Sequence, residues 1–198
     1  MSTNIKKMLV IAATTLVAGS AMAAEGTINF TGSISAASCK IGGGSGTNVT
    51  GDKGNQIIDV KLGKVAIDSL GGSAGGSIAG GTAINLNLDC GPSGTDLKTV
   101  SLRFDPVGGS GVDAFDNHLL KTVGDATGVG IGIYNGDGKL LNLSGNEMIT
   151  GSLNKGGTDD APVYTANLSM RAAYVKNGDK DIKAGEAKGT LPFTLNYE

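Results

Sequence analysis

The chain has 198 residues, of which 34 are glycine and none is tryptophan. Its 16 basic and 18 acidic side chains give a formal charge of −2, and the only arginines are Arg103 and Arg171. The sequence contains no cluster of lysine and arginine that could neutralise a run of phosphates, so its composition argues against nucleic acid as a partner.

Residues 1–23 are predicted to be an export signal. Lys6 and Lys7 give a charged start, Met8 to Ala18 is an apolar run, and Ala21-Met22-Ala23 is a small-x-small cleavage site. The apolar run is shorter than the roughly 20 residues that cross a bilayer, which argues against a membrane anchor. Cleavage after Ala23 or Ala24 removes Lys6 and Lys7, lowers the basic count from 16 to 14 and leaves a formal charge of −4.

Short runs of Val, Ile, Leu and Thr, separated by Gly, Asn, Asp and Ser, predict an all-β sandwich of one domain. The predicted strands are Thr27 to Ala36, Gln56 to Ala66, Thr82 to Cys90, Lys98 to Phe104, Gly128 to Tyr134, Lys139 to Leu143, Pro162 to Val175 and Gly189 to Tyr197. A hairpin turn is expected at Asn135-Gly136-Asp137-Gly138. The glycine-rich stretches Gly42 to Gly54 and Gly71 to Gly81 are predicted to be loops between strands.

The strand nearest the N-terminus alternates strictly. Its apolar face carries Ile28, Phe30, Gly32 and Ile34, and its other face carries small polar residues. Alternation alone leaves two possibilities open: the segment is the first strand of its own domain, or it completes the sandwich of another molecule.

The titratable residues offer no catalytic or metal-binding cluster. Cys39 and Cys90 both follow the export signal, where an oxidising compartment lets a pair persist as a disulfide. Structural zinc takes four ligands, and the only histidine is His118 in a polar loop, so we expect neither a metal nor a cofactor. A lone histidine of this kind is a poor candidate for a catalytic base, and we expect no enzyme.

The last predicted strand also alternates, with Leu191, Phe193, Leu195 and Tyr197 on its apolar face, and the sequence reaches Glu198 inside that strand. A sandwich that ends in this way is expected to leave an unpaired edge. Such an edge recruits other chains.

Several segments resemble the chaperone–usher pilus family, of which type 1 fimbrial subunits are members. Residues 26–39, GTINFTGSISAASC, resemble the start of a mature subunit of that family. Similar segments follow in the family's order, and the ending is similar too: they are Val60 to Val65, Ile84 to Cys90, Gly128 to Tyr134, Gly185 and Tyr197.

The resemblance implies an incomplete immunoglobulin-like sandwich that a donor strand from another subunit completes. Residues 24–37 would be the donor segment and residues 38–198 the pilin domain. By resemblance the donor side chains are Ile28, Phe30, Gly32 and Ile34, the acceptor groove and chaperone-binding strand comprise Gly185, Leu191, Phe193, Leu195, Tyr197 and Glu198, and Cys39 and Cys90 are the family disulfide.

The expected function is that of a structural subunit of a surface fibre used in adhesion or biofilm formation. The resemblance implies a homopolymer as its product, a periplasmic chaperone and an outer-membrane usher as further partners, and export through the periplasm to the cell surface. The alternative from another class is a secreted carbohydrate-binding β-sandwich module. Four Tyr, four Phe and no Trp provide few aromatic side chains for a sugar-binding face.

Overall fold

The computed structural model of the chain describes residues 39–44, 47–71, 81–178 and 181–198. The predicted export signal and the predicted strand Thr27 to Ala36 lie outside these residues. The described residues form β-strands and three short 3₁₀ helices, with no α-helix among them. The strands are β1 Lys40–Gly43, β2 Asn48–Asp52, β3 Asn55–Asp59, β4 Thr82–Gly91, β5 Thr99–Phe104, β6 Leu120–Lys121, β7 Val129–Asn135, β8 Met148–Ser152, β9 Asn154–Gly157, β10 Pro162–Lys176 and β11 Phe193–Tyr197.

Two antiparallel sheets make the sandwich. The first has the order β1-β4-β10-β7-β6, with β9 paired to the start of β10, and the second has the order β11-β5-β8. The chain passes from the second sheet to the first at Leu153, between β8 and β9, where the Leu153 N–H donates to the Lys98 carbonyl oxygen. Strands β2 and β3 form a separate hairpin.

Alternating apolar side chains from both sheets fill the core, as the period of two residues in a strand requires. The fully buried members from the first sheet include Leu86, Leu88 and Leu168, and those from the second include Val100 and Leu102. Ser101 points away from this core, and its hydroxyl is hydrogen-bonded to the hydroxyl of Thr150 on β8 at 2.8 Å.

A second, smaller apolar cluster covers the other face of the first sheet. Leu119, Tyr134, Ala173 and Val175 are buried there, with Leu140 packed against them. Strand β7 is therefore buried on both faces, which explains why almost none of its residues is exposed.

Five predicted strands are confirmed in position, namely those that correspond to β4, β5, β7, β10 and β11. Strand β11 is shorter than predicted, since it begins at Phe193 rather than Gly189. Proline has no N–H to contribute to a ladder, so Pro192 lies just before this start.

The predicted strand Lys139 to Leu143 is wrong. Of these residues, Leu140 alone makes a bridge, an isolated one to Tyr134. The Asn142 side chain accepts hydrogen bonds from the N–H groups of Ser144 and Gly145 and so begins a 3₁₀ helix at Leu143. The predicted turn before it is confirmed: the Gly138 N–H donates to the Asn135 carbonyl oxygen, and Gly138 has a φ of +80° that favours glycine.

The predicted strand Gln56 to Ala66 is correct only as far as Asp59, where β3 ends. The stretch Gly42 to Gly54 is not simply a loop, because it includes the end of β1 and the whole of β2. Of the stretch Gly71 to Gly81, residues 72–80 lie outside the described residues. The strands β1, β2, β6, β8 and β9 had not been predicted, since each is short and carries few large apolar side chains.

A candidate strand-binding groove

A cavity of about 890 Å³ lies between the two sheets, next to β11. Its wall on the first sheet is apolar and includes Leu86, Ile131, Ile133 and Met170. Leu102 and Phe104 of β5 line it from the second sheet. The cavity is therefore an extension of the core towards the surface.

Strand β11 contributes one face to this cavity. Phe193, Leu195 and Tyr197 line it, as does Leu191 just before the strand. Thr194 also borders the cavity, but it is exposed, as is Asn196. The structure therefore brings together all four apolar residues that the alternation placed on one face.

The outer edge of β11 has no strand partner among the described residues. On the inner edge, β11 pairs with β5, and the Asp105 N–H donates to the Pro192 carbonyl oxygen at 2.8 Å. At the other end, Glu198 and Thr99 exchange both main-chain hydrogen bonds. In an antiparallel strand, each residue directs its N–H and C=O groups to one edge, and the next residue directs them to the other edge. The main-chain groups of Phe193, Leu195 and Tyr197 therefore point to the outer edge.

The segment after β3, residues 60–66, reaches the cavity through two apolar side chains. Val60 and Leu62 line the cavity, and Lys61 between them is exposed, which is the alternation of a strand. The segment belongs to no ladder among the described residues. Two potential strand edges thus border the same groove.

Residues 181–191, here called the strap, contribute a third side of the groove through residues 187–191. The strap pairs with residues 123–127, since Val123 and Lys188 exchange main-chain hydrogen bonds of 2.7 and 2.8 Å. At Gly189 a Cβ atom would lie 2.8 Å from Leu120 Cδ2, so a larger residue would push the strap away from the core. Gly185 packs outside the cavity lining, where a Cβ would lie 2.6 Å from the Ala126 main-chain nitrogen.

Cys39 and Cys90 form a disulfide bond that joins the start of β1 to the end of β4. Both cysteines are buried, and Cys39 also lines the cavity. The bond holds one end of the groove wall, and the sequence had indicated this pair.

Comparison with known proteins decides the family. The profile of a family described as "Fimbrial protein" matches residues 28–198. This chain belongs to the fimbrial protein family. The fimbrial subunit is therefore a structural component of a surface fimbria that assembles with other pilus subunits, as the sequence resemblance implied.

Solved structures support the fold of the fimbrial subunit. One, from a chaperone–usher pilus studied for the molecular basis of its rod uncoiling, is 18% identical in sequence and has a TM-score of 0.52. The match covers 88% of this chain and 96% of that one. The fimbrial subunit thus has the predicted all-β, immunoglobulin-like sandwich. No curated protein sequence is significantly similar to the chain.

Glu198 of the fimbrial subunit directly follows β11 and is next to Tyr197, which lines the groove. Its carbonyl oxygen accepts hydrogen bonds from the N–H groups of Lys98 and Thr99, while its side chain is exposed. The predicted donor residues Ile28, Phe30, Gly32 and Ile34 lie outside the described residues.

Other contacts around the groove had no signal in the sequence. Gln56 and Tyr174 both line it and make polar contacts to the main chain of distant segments, which no local pattern encodes. His118 is hydrogen-bonded to Asp116 at 3.0 Å, and neither residue is among those that line the groove. In the described part of the fimbrial subunit, no group of three or more His, Cys, Asp or Glu residues could hold a metal ion. No helix there is long and apolar enough to span a membrane.

Proposed function

We propose that this fimbrial subunit polymerises by donor-strand exchange, in which residues 24–37 of one subunit occupy the groove of the next. The observation that carries the proposal is the combination of an apolar groove with a strand edge along it that has no partner strand among the described residues. An added strand would gain main-chain hydrogen bonds at the edge, and its alternate side chains would fill the groove.

The alternation of the donor segment suits this groove. Ile28, Phe30 and Ile34 fall on one face, so all three can point inwards together. Burial of each would contribute about 1.5 to 3 kcal/mol. Gly32 lacks a side chain and would let a large groove residue approach the donor main chain.

The proposed contact between subunits joins two different surfaces of the chain, which allows it to build a fibre. A donor segment and an acceptor groove are different surfaces of the same chain, so each subunit can receive one neighbour and donate to another. A contact of this heterologous kind does not close on itself after two subunits, and it propagates. Such a fibre serves adhesion or biofilm formation through its assembled surface and requires no catalysis by the subunit.

The groove also supports a role for partners before assembly. An apolar groove beside an unpaired edge invites aggregation. We propose that a periplasmic chaperone lends a strand to β11 and holds Glu198 in a basic cleft until an outer-membrane usher exchanges that strand for the next donor segment. Export by the signal at residues 1–23 would deliver the chain to this pathway.

Heat-resistant oligomers in SDS gels test the proposal. Subunits purified without added denaturant should form a ladder that disappears only on prolonged boiling. Deletion of Ala24 to Ile34 should leave a chaperone-bound subunit that forms no ladder, because it has a groove but no donor. Phe30→Asp should also abolish the ladder, whereas Thr31→Asp on the opposite face should retain it. A ladder from the deleted chain would overturn the proposal.

A further inference from the structure

Strand β1 is an edge strand of the first sheet among the described residues, and its outward main-chain groups can be identified from its register. Ile41 lies opposite Leu88 of β4, and the Gly44 N–H donates to the Asn85 carbonyl oxygen at 2.8 Å. Because successive residues alternate between the two edges, residues 40, 42 and 44 face β4. The main-chain groups of Cys39, Ile41 and Gly43 therefore face away from it.

The Gln56 side chain occupies both outward groups of Ile41. The Ile41 N–H donates to Gln56 Oε1 at 2.9 Å, and Gln56 Nε2 donates to the Ile41 carbonyl oxygen at 2.8 Å. A side-chain amide has one acceptor and one donor group arranged like those of a peptide. Gln56 thus makes the two hydrogen bonds that a neighbouring strand would make.

One more outward group next to β1 has a partner. The Cys39 N–H donates to the Tyr197 hydroxyl oxygen at 3.0 Å, which links the residue before β1 to β11. Gly43 is exposed, so the capped part of the edge is centred on Ile41. This capped part contrasts with the outer edge of β11, where Phe193, Leu195 and Tyr197 present main-chain groups without a strand partner in the described residues.

We propose that Gln56 caps the edge of β1 and thereby prevents strand addition there, while the edge of β11 along the groove stays available. The proposal rests on the proposed function, since it concerns which edge a second copy of the chain can use. An uncapped edge strand presents N–H and C=O groups that template pairing with another chain. Loss of the cap should let β1 of one copy pair with an edge of another, which competes with ordered assembly.

Amide hydrogen exchange on the full mature chain tests the cap. In Gln56→Ala, the Ile41 amide should exchange at least about tenfold faster than in the unaltered chain at low protein concentration, because its acceptor is gone. At higher concentration the same variant should form lateral aggregates that dissolve in cold SDS, detected by light scattering. Thr50→Ala, an exposed change in the same hairpin, should alter neither measurement.

Gln56→Glu is the matched variant that keeps the side-chain length. Its carboxylate still accepts from the Ile41 N–H, so that amide should stay protected, and its charge at the edge should oppose pairing with a second copy. Equal Ile41 protection in the unaltered chain and Gln56→Ala would overturn the inference. So would fast exchange in Gln56→Ala without lateral aggregation.

The two proposals fail in different ways. Absence of a heat-resistant ladder from the unaltered chain contradicts donor-strand exchange. The rates of Ile41 amide exchange in the unaltered chain and in Gln56→Ala, measured on the unassembled subunit, then still test whether Gln56 caps β1. A normal ladder with no effect of Gln56→Ala on exchange or aggregation contradicts the cap alone.

Discussion

The Tyr174 hydroxyl donates a 2.6 Å hydrogen bond to the main-chain oxygen of Ala187. This contact ties β10 to the strap, and both residues line the groove. Burial raises the pKa of Tyr174 above its ordinary value, and the nearby charge of Glu186 adds to the effect. The hydroxyl is therefore kept protonated as a hydrogen-bond donor.

Tyr174→Phe should lower the free energy of unfolding by about 1 kcal/mol, because the strap loses this hydrogen bond. The pKa of Tyr174 is raised in the folded state. The stabilisation from its hydrogen bond is therefore fully present below the unfolded pKa of about 10 and is lost as pH rises through the folded pKa. Urea unfolding at neutral and alkaline pH checks this. An equal alkaline loss of stability in both proteins would contradict the assignment to Tyr174.

A charge in the groove should block assembly. Leu195→Asp places an unpaired carboxylate where the donor side chains are proposed to be buried, so the heat-resistant ladder should fall by at least about tenfold. Asn196→Asp adds the same charge on the exposed face of β11 and should leave the ladder intact. Densitometry of SDS gels run without boiling compares the two. Equal ladders would show that Leu195 does not face the donor.

Loss of the disulfide should destabilise the subunit strongly. Cys39 and Cys90 are 51 residues apart, and closing a loop of that length contributes about 4 kcal/mol in the chain-entropy estimate. Cys39→Ser should therefore lower the yield of folded protein in the periplasm and the urea midpoint. Cys90→Ser should have the same effect, and the double variant should be no worse than either single one. Unchanged yield would show that the bond is dispensable.

The pKa of Glu147 should lie below its ordinary value. The Asn142 N–H, at 2.8 Å from Glu147 Oε2, is the main cause of its lowered pKa, and the Lys139 ammonium group at 3.0 Å is the next. Stabilisation from this carboxylate is present above its unfolded pKa and is lost as pH falls through the lower, folded value. Lys139→Ala should raise the pKa of Glu147 only part of the way. NMR titration of the side-chain carboxyl groups measures the pKa of Glu147 in both proteins. An ordinary pKa of Glu147 in the unaltered chain would refute the expectation.

Asp113 should be important for the loop that covers the second apolar cluster. It is buried, its carboxylate accepts from the Asn177 amide at 2.9 and 3.0 Å, and it also accepts from the Phe115 N–H at 2.9 Å. Asp113→Ala removes these acceptors and should cost roughly 2 to 3 kcal/mol of unfolding free energy. Asp96→Ala, an exposed change, should cost less than about 0.5 kcal/mol. Equal effects in urea unfolding would contradict this role.

The period of two residues was enough to predict the strands whose side chains alternate between core and solvent. Strands β4, β10 and β11 have this pattern over five or more residues, and the structure has them close to the predicted places. A short apolar run without this alternation was not enough at Lys139 to Leu143, where the Asn142 side chain competes for the main-chain N–H groups of Ser144 and Gly145. Strand propensity cannot reveal that a side chain, rather than a neighbouring strand, accepts hydrogen bonds from these N–H groups.

By itself the sequence determined which side chains share a face, which cysteines can pair and which family the two ends resemble, because these depend on local order and residue type. Only the tertiary structure decided which edges are open. Ile41 and Leu195 both lie on strands that border the groove, yet the outward groups of Ile41 are bonded to Gln56 and those of Leu195 have no strand partner in the described residues. That difference arises from contacts between segments that are distant in the chain. The periodicity of apolar residues along the sequence contains no information about such contacts.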